Sequence, residues 1–416
     1  MAAVAYASAE ESSPFQNLRA FAEALHVVEV DYVRVVDQDS LVQGAMRGML
    51  EQLDPHSDYL DPAEYARLRA DSEGHFGGIG VEVVVRDGWL SVAGVFPGGA
   101  AAEEGIQAGD RFLAIENIPA RDMRLRTAVE LMRGEEGSEV QVVLRREGVS
   151  SDIALSLERR RIDIPPIEFS ELPEGVAYLA IHAFQAGTAA AVEEVISQDR
   201  EQPLRALLLD LRNNGGGLFR EAVRVSDLFL REGAIVGTRA RAQDSIRFVT
   251  ATEDQVADAI PIVVLINAYT ASAAEIVAAA LSDRGRARLV GERSFGKGSV
   301  QSIVELSGGG ALKLTTALYY SPDGVTIQAR GVEPHFVVSS SVGQEGRTLR
   351  EDGLERHLPA ESNQRPRQGT RGVEGQLDTS PLETGDLLGG AVAVFSDDPA
   401  ARGAYRLLLS AASEQP

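Results

Sequence analysis

The chain has 416 residues, a length at which one hydrophobic core usually gives way to two or three domains. Its hydrophobic share of 44% and charged share of 25% are those of a globular protein, while the net charge of −22 repels phosphate backbones and sets nucleic acid aside as a partner. The absence of cysteine excludes disulfides, thiolate metal sites and a cysteine nucleophile. The six histidines, His26, His56, His75, His182, His335 and His357, are scattered singly without zinc-site spacing, so neither a metal nor a cofactor is expected.

In chain order, residues 1–9 are small and apolar and precede acids, like the cleavage end of a secretory signal; 1–13 are read as a signal remnant or a disordered terminus. No apolar run reaches the roughly 18 residues a membrane helix needs. From 14 to 73, apolar residues such as Leu18, Phe21, Leu25 and Val28, then Leu41, Ala45 and Leu50, fall at helical spacing and predict an N-terminal helical region. The turn Leu53-Asp54-Pro55-His56-Ser57 should end one of its helices. Residues 74–158 turn to short β-type runs at 81–85, 90–92, 112–115 and 140–144, interrupted by helical stretches at 100–104 and 126–133, which predicts a small, mostly β domain.

Between 159 and 340 strands alternate with helices: strands at 176–180, 206–210 and 260–266, helices at 188–197, 219–230 and from Ser272 onward. Such alternation predicts βαβ units around a buried sheet, with ligands at the strand ends where helices begin. The extension 341–416 contains a polar, Gly- and Pro-containing stretch, 364–388, expected to be a disordered linker, and an amphipathic segment at 399–412 expected to dock as a closing helix.

The most informative stretch is Asn267-Ala268-Tyr269-Thr270-Ala271-Ser272-Ala273-Ala274-Glu275-Ile276, a short turn between a buried strand and a helix. Ser272 opens that helix, where the free amides of the first turn, Ala273 first among them, favour a developing oxyanion. A serine in this position is more often a plain N-cap. Acyl chemistry on it needs a base, and Lys297, between two glycines and beside Phe295, fits that role if burial and neighbours keep it neutral. Gln301, four residues on, and Asp283 are candidates to orient it. A rival reading sees G-x-x-x-x-G-K in 291–297, but Gly298 stands where a magnesium-binding hydroxyl should follow, and 300–306 reads as strand rather than helix.

Taken together, Thr270-Ala271-Ser272-Ala273-Ala274-Glu275-Ile276 and Ser294-Phe295-Gly296-Lys297-Gly298-Ser299-Val300-Gln301, 297 − 272 = 25 residues from serine to lysine, resemble the signature of carboxyl-terminal processing (tail-specific) serine proteases. The turn at 53–57, Asp210-Leu211-Arg212-Asn213-Asn214 with Gly216-Gly217, and Gly331-Val332-Glu333-Pro334 extend the likeness over about residues 20–340. The resemblance implies a crotonase-like α/β protease core, with Ser272 as nucleophile, Lys297 as base, Gln301 holding the lysine, and Gly216 or Gly217 joining Ala273 as oxyanion donor. Gly215 departs from the proline usual in the family, as Thr270 and Ala274 depart from serines.

The β domain resembles an inserted PDZ module, with Phe76-Gly77-Gly78-Ile79-Gly80-Val81 as its carboxylate-binding loop. Gly78 and Gly80 would lend backbone amides to a tail carboxylate, and Ile79, Val81 and Met132 would line a pocket for its last apolar side chain. The resemblance thus implies an endopeptidase that cleaves proteins near or upstream of apolar C-terminal tails. An adaptor protein and homo-oligomers are the further partners it suggests. It implies an extracytoplasmic site in a bacterial periplasm or envelope, with a signal segment able to tether the chain to membrane. Arg133 or another charge of the PDZ module is a candidate to couple tail docking to catalysis. A binding scaffold with an idle protease core is the competing class.

Overall fold

The computed structural model describes residues 14–86, 88–200, 202–253, 256, 260–338, 349–361, 377–380, 395 and 398–413. Residues 1–13, read as a signal remnant, and all but four residues of the expected linker at 364–388 lie outside them. The chain divides into two compact units, residues 1–63 with 301–315, and residues 64–300 with 316–416.

The first unit contains the predicted helices, Pro14–Asp31 and Gln38–Leu50, the second N-capped by Asp37, whose carboxylate accepts from the Ser40 N–H. The Asp58–Leu60 strand follows the Asp54–Ser57 turn and pairs antiparallel with residues 311–313. The Ser299–Glu305 and Ala311–Tyr320 strands pair with each other. Neither Ala311–Tyr320 nor its partner Ala234–Ala240 was legible as a strand, because alternation is blurred where both faces are half-buried.

In the second unit, the core is a six-stranded sheet in the order Ile167–Leu172, Val176–Ile181, Ala206–Asp210, Ile262–Ile266, Ala287–Gly291, Phe336–Val337. All neighbours run parallel except the antiparallel first pair. Its central strands Val176–Ile181, Ala206–Asp210 and Ile262–Ile266 read as nearly unbroken apolar runs because both faces are covered. Ala177, Leu179, Ile181, Leu207, Leu209, Val264 and Ile266 face the helices Thr188–Ser197, Phe219–Asp227 and Ala273–Asp283. The alternate residues Val176, Tyr178, Leu208, Val263 and Leu265 face the closing helix Pro399–Ser413 and Phe395. The C-terminal segment therefore supplies the second half of the core.

The same unit holds the β domain, a sheet in the order Val81–Arg86, Trp89–Val95, Arg111–Ile115, Glu139–Arg145, Ile153–Glu158. The short helices Ala100–Glu103 and Leu125–Met132 close its core. Antiparallel strands His75–Gly78 and Arg160–Asp163 form the double stem by which it is inserted.

Candidate active site

The Ala206–Asp210 and Ile262–Ile266 strands are parallel neighbours, so the chain leaves both at the same sheet edge. The loops that follow interlock. Asn213 N–H donates to Asn267 Oδ1 (3.0 Å), Asn267 Nδ2 to Asn213 Oδ1 (2.9 Å), Thr270 Oγ1 to the Leu211 carbonyl (2.8 Å), and Ala271 N–H to the Asn214 carbonyl (2.9 Å). Asn213 has φ 59°, a left-handed conformation that asparagine tolerates better than most residues.

Ser272 sits between strand and helix at φ 55°, ψ −115°, outside the regions an L-residue favours. Such a conformation costs about 1–3 kcal/mol and persists only where its surroundings impose it. The geometry is that of a nucleophile elbow, a sharp strand-to-helix turn that lifts a serine out of the chain's path. In the first turn, the amides of Ala274, Glu275 and Ile276 donate to the carbonyls of Ala271 and Ser272. Among the described residues the Ala273 N–H donates to nothing, so it is the amide open to an incoming anion.

What imposes the Ser272 conformation is Glu275, which is completely buried. Its Oε1 accepts from the Ser294 hydroxyl (2.5 Å) and Gly296 N–H (2.7 Å), and its Oε2 from Ser272 N–H (2.8 Å) and Lys297 N–H (2.9 Å). One carboxylate oxygen thus binds the backbones of Ser272 and Lys297 together, with the two nitrogens no more than about 6 Å apart, the sum of the two bonds. Burial pushes the Glu275 pKa up to about 7, against the opposing pull of its four donors. The loop is held further by Phe295 N–H donating to the Thr270 carbonyl (2.9 Å), and Lys297 is itself half-buried. Sequence reasoning gave Glu275 no role, although Ser272-x-x-Glu275 carries the spacing of a capping box.

The two glycines have different neighbours. Gly216, at φ +104°, is pressed against the elbow: a Cβ there would lie 2.8 Å from Ser272 Cβ and 3.0 Å from the Ala273 nitrogen. Its N–H donates to Asn214 Oδ1 (2.8 Å), and Asn214 is anchored by its Nδ2 on the Ile181 carbonyl (2.7 Å). Gly217, at φ +138°, packs on Phe184, where a Cβ would meet the carbonyl oxygen at 2.3 Å.

Asp283 does not belong to this cluster. It ends the 11-residue helix that Ser272 begins, about 16 Å along the axis at 1.5 Å per residue, and accepts from Asp323 N–H (3.4 Å). The candidate for orienting Lys297 is thus placed at the far end of that helix.

Gln301 lies in the other unit. There its Nε2 donates to Thr315 Oγ1 (3.2 Å), and the Thr315 hydroxyl donates to Asp54 Oδ1 (3.0 Å). Asp54 also accepts from Ser57 Oγ (2.7 Å) and from the His56 and Ser57 amides. Burial alone would raise the Asp54 pKa, but these bonds hold it below the usual carboxylate range. The ionised Asp54 fixes the Thr315 hydroxyl as a donor to it, so Thr315 accepts from the amide nitrogen of Gln301.

With this geometry in place, comparison with known proteins decides the family. Over 356 residues the chain is 36% identical to the carboxy-terminal-processing protease of Bartonella bacilliformis, covering 84% of this chain and 82% of that one. The chain belongs to the carboxy-terminal-processing proteases. It is also 33% identical to the carboxy-terminal processing protease CtpA of Bacillus subtilis, over 75% of this chain and 67% of the relative. The model of peptidase family S41 matches residues 175–338, that of the activating protease CtpB N-terminal domain 2–64, and that of the PDZ domain 91–146. Among solved structures, the photosystem II D1 C-terminal processing protease is similar at 31% identity and TM-score 0.49, with 83% of this chain and 99% of that chain covered. By its family models and relatives the protein is a serine-type peptidase carrying a PDZ domain, and its chain is mixed α/β with several sheets.

In that PDZ domain, Val81–Arg86 is an edge strand of the sheet, and the helix Leu125–Met132 packs against it. Ile79 and Met132 lie in the hydrophobic cluster and Val81 packs on it. Gly80 is left-handed at φ +80°, with its carbonyl accepting from Phe96 N–H, while Gly78 is in the stem strand opposite Arg160. Arg133 stacks over the Phe76 ring at 4.3 Å and pairs with Asp71 at 3.4 Å. Among the described residues no helix is long and apolar enough to cross a membrane.

Proposed function

We propose that this protease cleaves with a Ser272–Lys297 dyad. The Ser272 oxygen attacks the scissile carbonyl while its proton passes to the neutral Lys297 amine and on to the leaving amine. An acyl-enzyme remains, which water hydrolyses as Lys297 takes and returns a second proton. The Ala273 N–H and an amide of the Gly216–Gly217 turn receive the oxyanion, the Gly216 N–H by exchanging Asn214 for it. To Gln301 we assign the orienting of the lysine, the role that its place four residues after Lys297 in the family signature implies.

The observation that carries this reading is the Glu275 carboxylate, which accepts from the backbone amides of both Ser272 and Lys297 at once. A serine serving only as an N-cap needs no such strained elbow and no lysine loop tied to it.

Tail recognition follows the PDZ architecture. An apolar C-terminal segment adds as a strand beside Val81–Arg86, its carboxylate held by amides of the Gly78-Ile79-Gly80 loop and its last side chain directed between Val81 and Met132. The parallel sheet covered on both faces supports a crotonase-like core, and the boundaries 14–73, 74–158, 159–340 and 341–416 remain our division into domains. We place the enzyme outside the cytoplasm, in the bacterial envelope. Exposed Leu18, Phe21 and Val28 on the first helix support a homo-oligomer, with an adaptor as a further partner.

Purified Ser272→Ala and Lys297→Ala should each lose essentially all cleavage of a peptide with an apolar C-terminal tail while melting like the parent. Wild-type turnover in either would end this mechanism.

A further inference from the structure

The end of the Asp210 strand carries an ionic knot that the catalytic proposal leaves unused. Arg212 grips Asp210 through Nε (2.9 Å to Oδ1) and Nη2 (2.6 Å to Oδ2), and its Nη1 donates to Asp398 Oδ2. The Tyr178 hydroxyl donates to the same Asp210 Oδ2 at 3.1 Å. Burial pulls the Arg212 pKa down, yet the two carboxylates hold it above that of an ordinary arginine.

Asp398 comes from the far end of the chain and divides its work. Its Oδ1 accepts from Ala401 N–H (3.0 Å) and its carbonyl from Arg402 N–H (3.1 Å), which makes it the N-cap of the closing helix. Capping needs only a polar oxygen, and asparagine or serine caps about as well. Neutralising Arg212 needs only Asp210. The charge that Asp398 directs at Arg212 is therefore surplus to both tasks. Three residues earlier, Phe395 packs edge-on against the Tyr178 ring (centroids 6.2 Å apart) and against Tyr405 (5.8 Å), so the C-terminal segment grips this strand end twice.

Arg212 stands two residues before Asn214, whose carbonyl holds Ala271 and whose side chain holds Gly216 against Ser272. The turn between them is short and runs through left-handed Asn213. A shift of the guanidinium has little slack through which to dissipate before it reaches Gly216.

We propose that Asp398 is a positioning residue for hydrolysis: by fixing Arg212 it sets the path of the 213–217 turn against Ser272, so that docking of the closing helix completes the acyl-transfer site. This rests on the Ser272 and oxyanion-turn reading given above.

The test uses the full chain with Asp398→Asn, which keeps a capping oxygen and removes the charge. Asp398→Ser, a second capping residue, serves should the amide disturb the helix. Turnover of a peptide with an apolar tail, the rate of Ser272 labelling by an organophosphonate, and thermal unfolding are measured together. Turnover and labelling should both fall about tenfold, short of the roughly 100-fold or more that loss of an oxyanion donor costs. KM should stay within about twofold of the parent value, since no substrate contact is removed. On an Arg212→Gln background Asp398→Asn should add nothing, because the two act through one contact.

Parental turnover and labelling in the Asp398 variants would overturn the proposal, as would a loss that persists undiminished on the Arg212→Gln background. Ser272→Ala and Gly216→Ala run in parallel. Full activity there sinks the underlying reading, whereas inactivity there with parental behaviour of Asp398→Asn removes the role of Asp398 alone.

Discussion

Replacing Gly216 by alanine should separate catalysis from folding at this site. The new methyl would stand 2.8 Å from Ser272 Cβ and 3.0 Å from both the Ala271 oxygen and the Ala273 nitrogen, where ordinary contact begins near 3.4 Å. Two of those three neighbours are backbone, so relief requires the turn and the elbow to part by about 0.6 Å at the point where the proposed nucleophile and oxyanion donors meet. Misplacement approaching 1 Å costs around 100-fold in rate, and an alanine at φ +104° adds about 1–3 kcal/mol of backbone strain. Steady-state cleavage of a fluorogenic peptide should therefore show kcat down about 100-fold with KM little changed, alongside a modest fall in Tm. Gly215→Ala is the matched control one residue away, where a Cβ meets nothing within 4 Å and φ is not positive. Parental kcat in Gly216→Ala, or equal losses in the two variants, would refute the assignment of the turn to the site.

Glu275 gives a pH signature. Its native pKa of about 7 lies above the ordinary 4.5, so the folded state holds an extra proton between those values and loses stability as pH rises through the window. The shift corresponds to about 3 kcal/mol, which should appear as a pH-dependent gap in urea unfolding between the parent and Glu275→Gln; a gap constant from pH 4.5 to 8 would contradict it. Tyr405→Ala removes a fully buried ring that packs on Phe395 and donates to the Pro173 carbonyl (3.2 Å). It should destabilise the chain by about 3–5 kcal/mol in the same measurement, and a loss below about 1 kcal/mol would mean that the closing helix contributes little to the core.

The parts of this protein that sequence made legible are those where one residue's environment repeats along the chain. The helix at Thr188–Ser197 and the strand at Ala206–Asp210 fall where periodicity put them, because a covered face imposes an apolar run whatever lies opposite. The serine and lysine could be singled out by motif, yet nothing local in the sequence indicated what joins them. Glu275 meets donors from residues 294, 296 and 297, and Asp398 meets Arg212 from 186 positions away. Such partners are chosen by topology, by which strand ends share an edge of the sheet and which helix covers its other face.

Asp283, a candidate to orient Lys297, ends the helix that Ser272 opens, and the helical rise carries it about 16 Å from the serine. A strained dihedral persists only where braces impose it, and those on Ser272 run through Glu275 of its own first helical turn as well as from elsewhere in the chain. For Ser272 those braces are the lysine loop, through Glu275, and the glycine turn, through Asn214. The glycine turn is anchored in its own strand end, and that strand end is gripped by the C-terminal segment. A defect anywhere along this chain of contacts should be felt first in kcat, before substrate binding or global unfolding registers it.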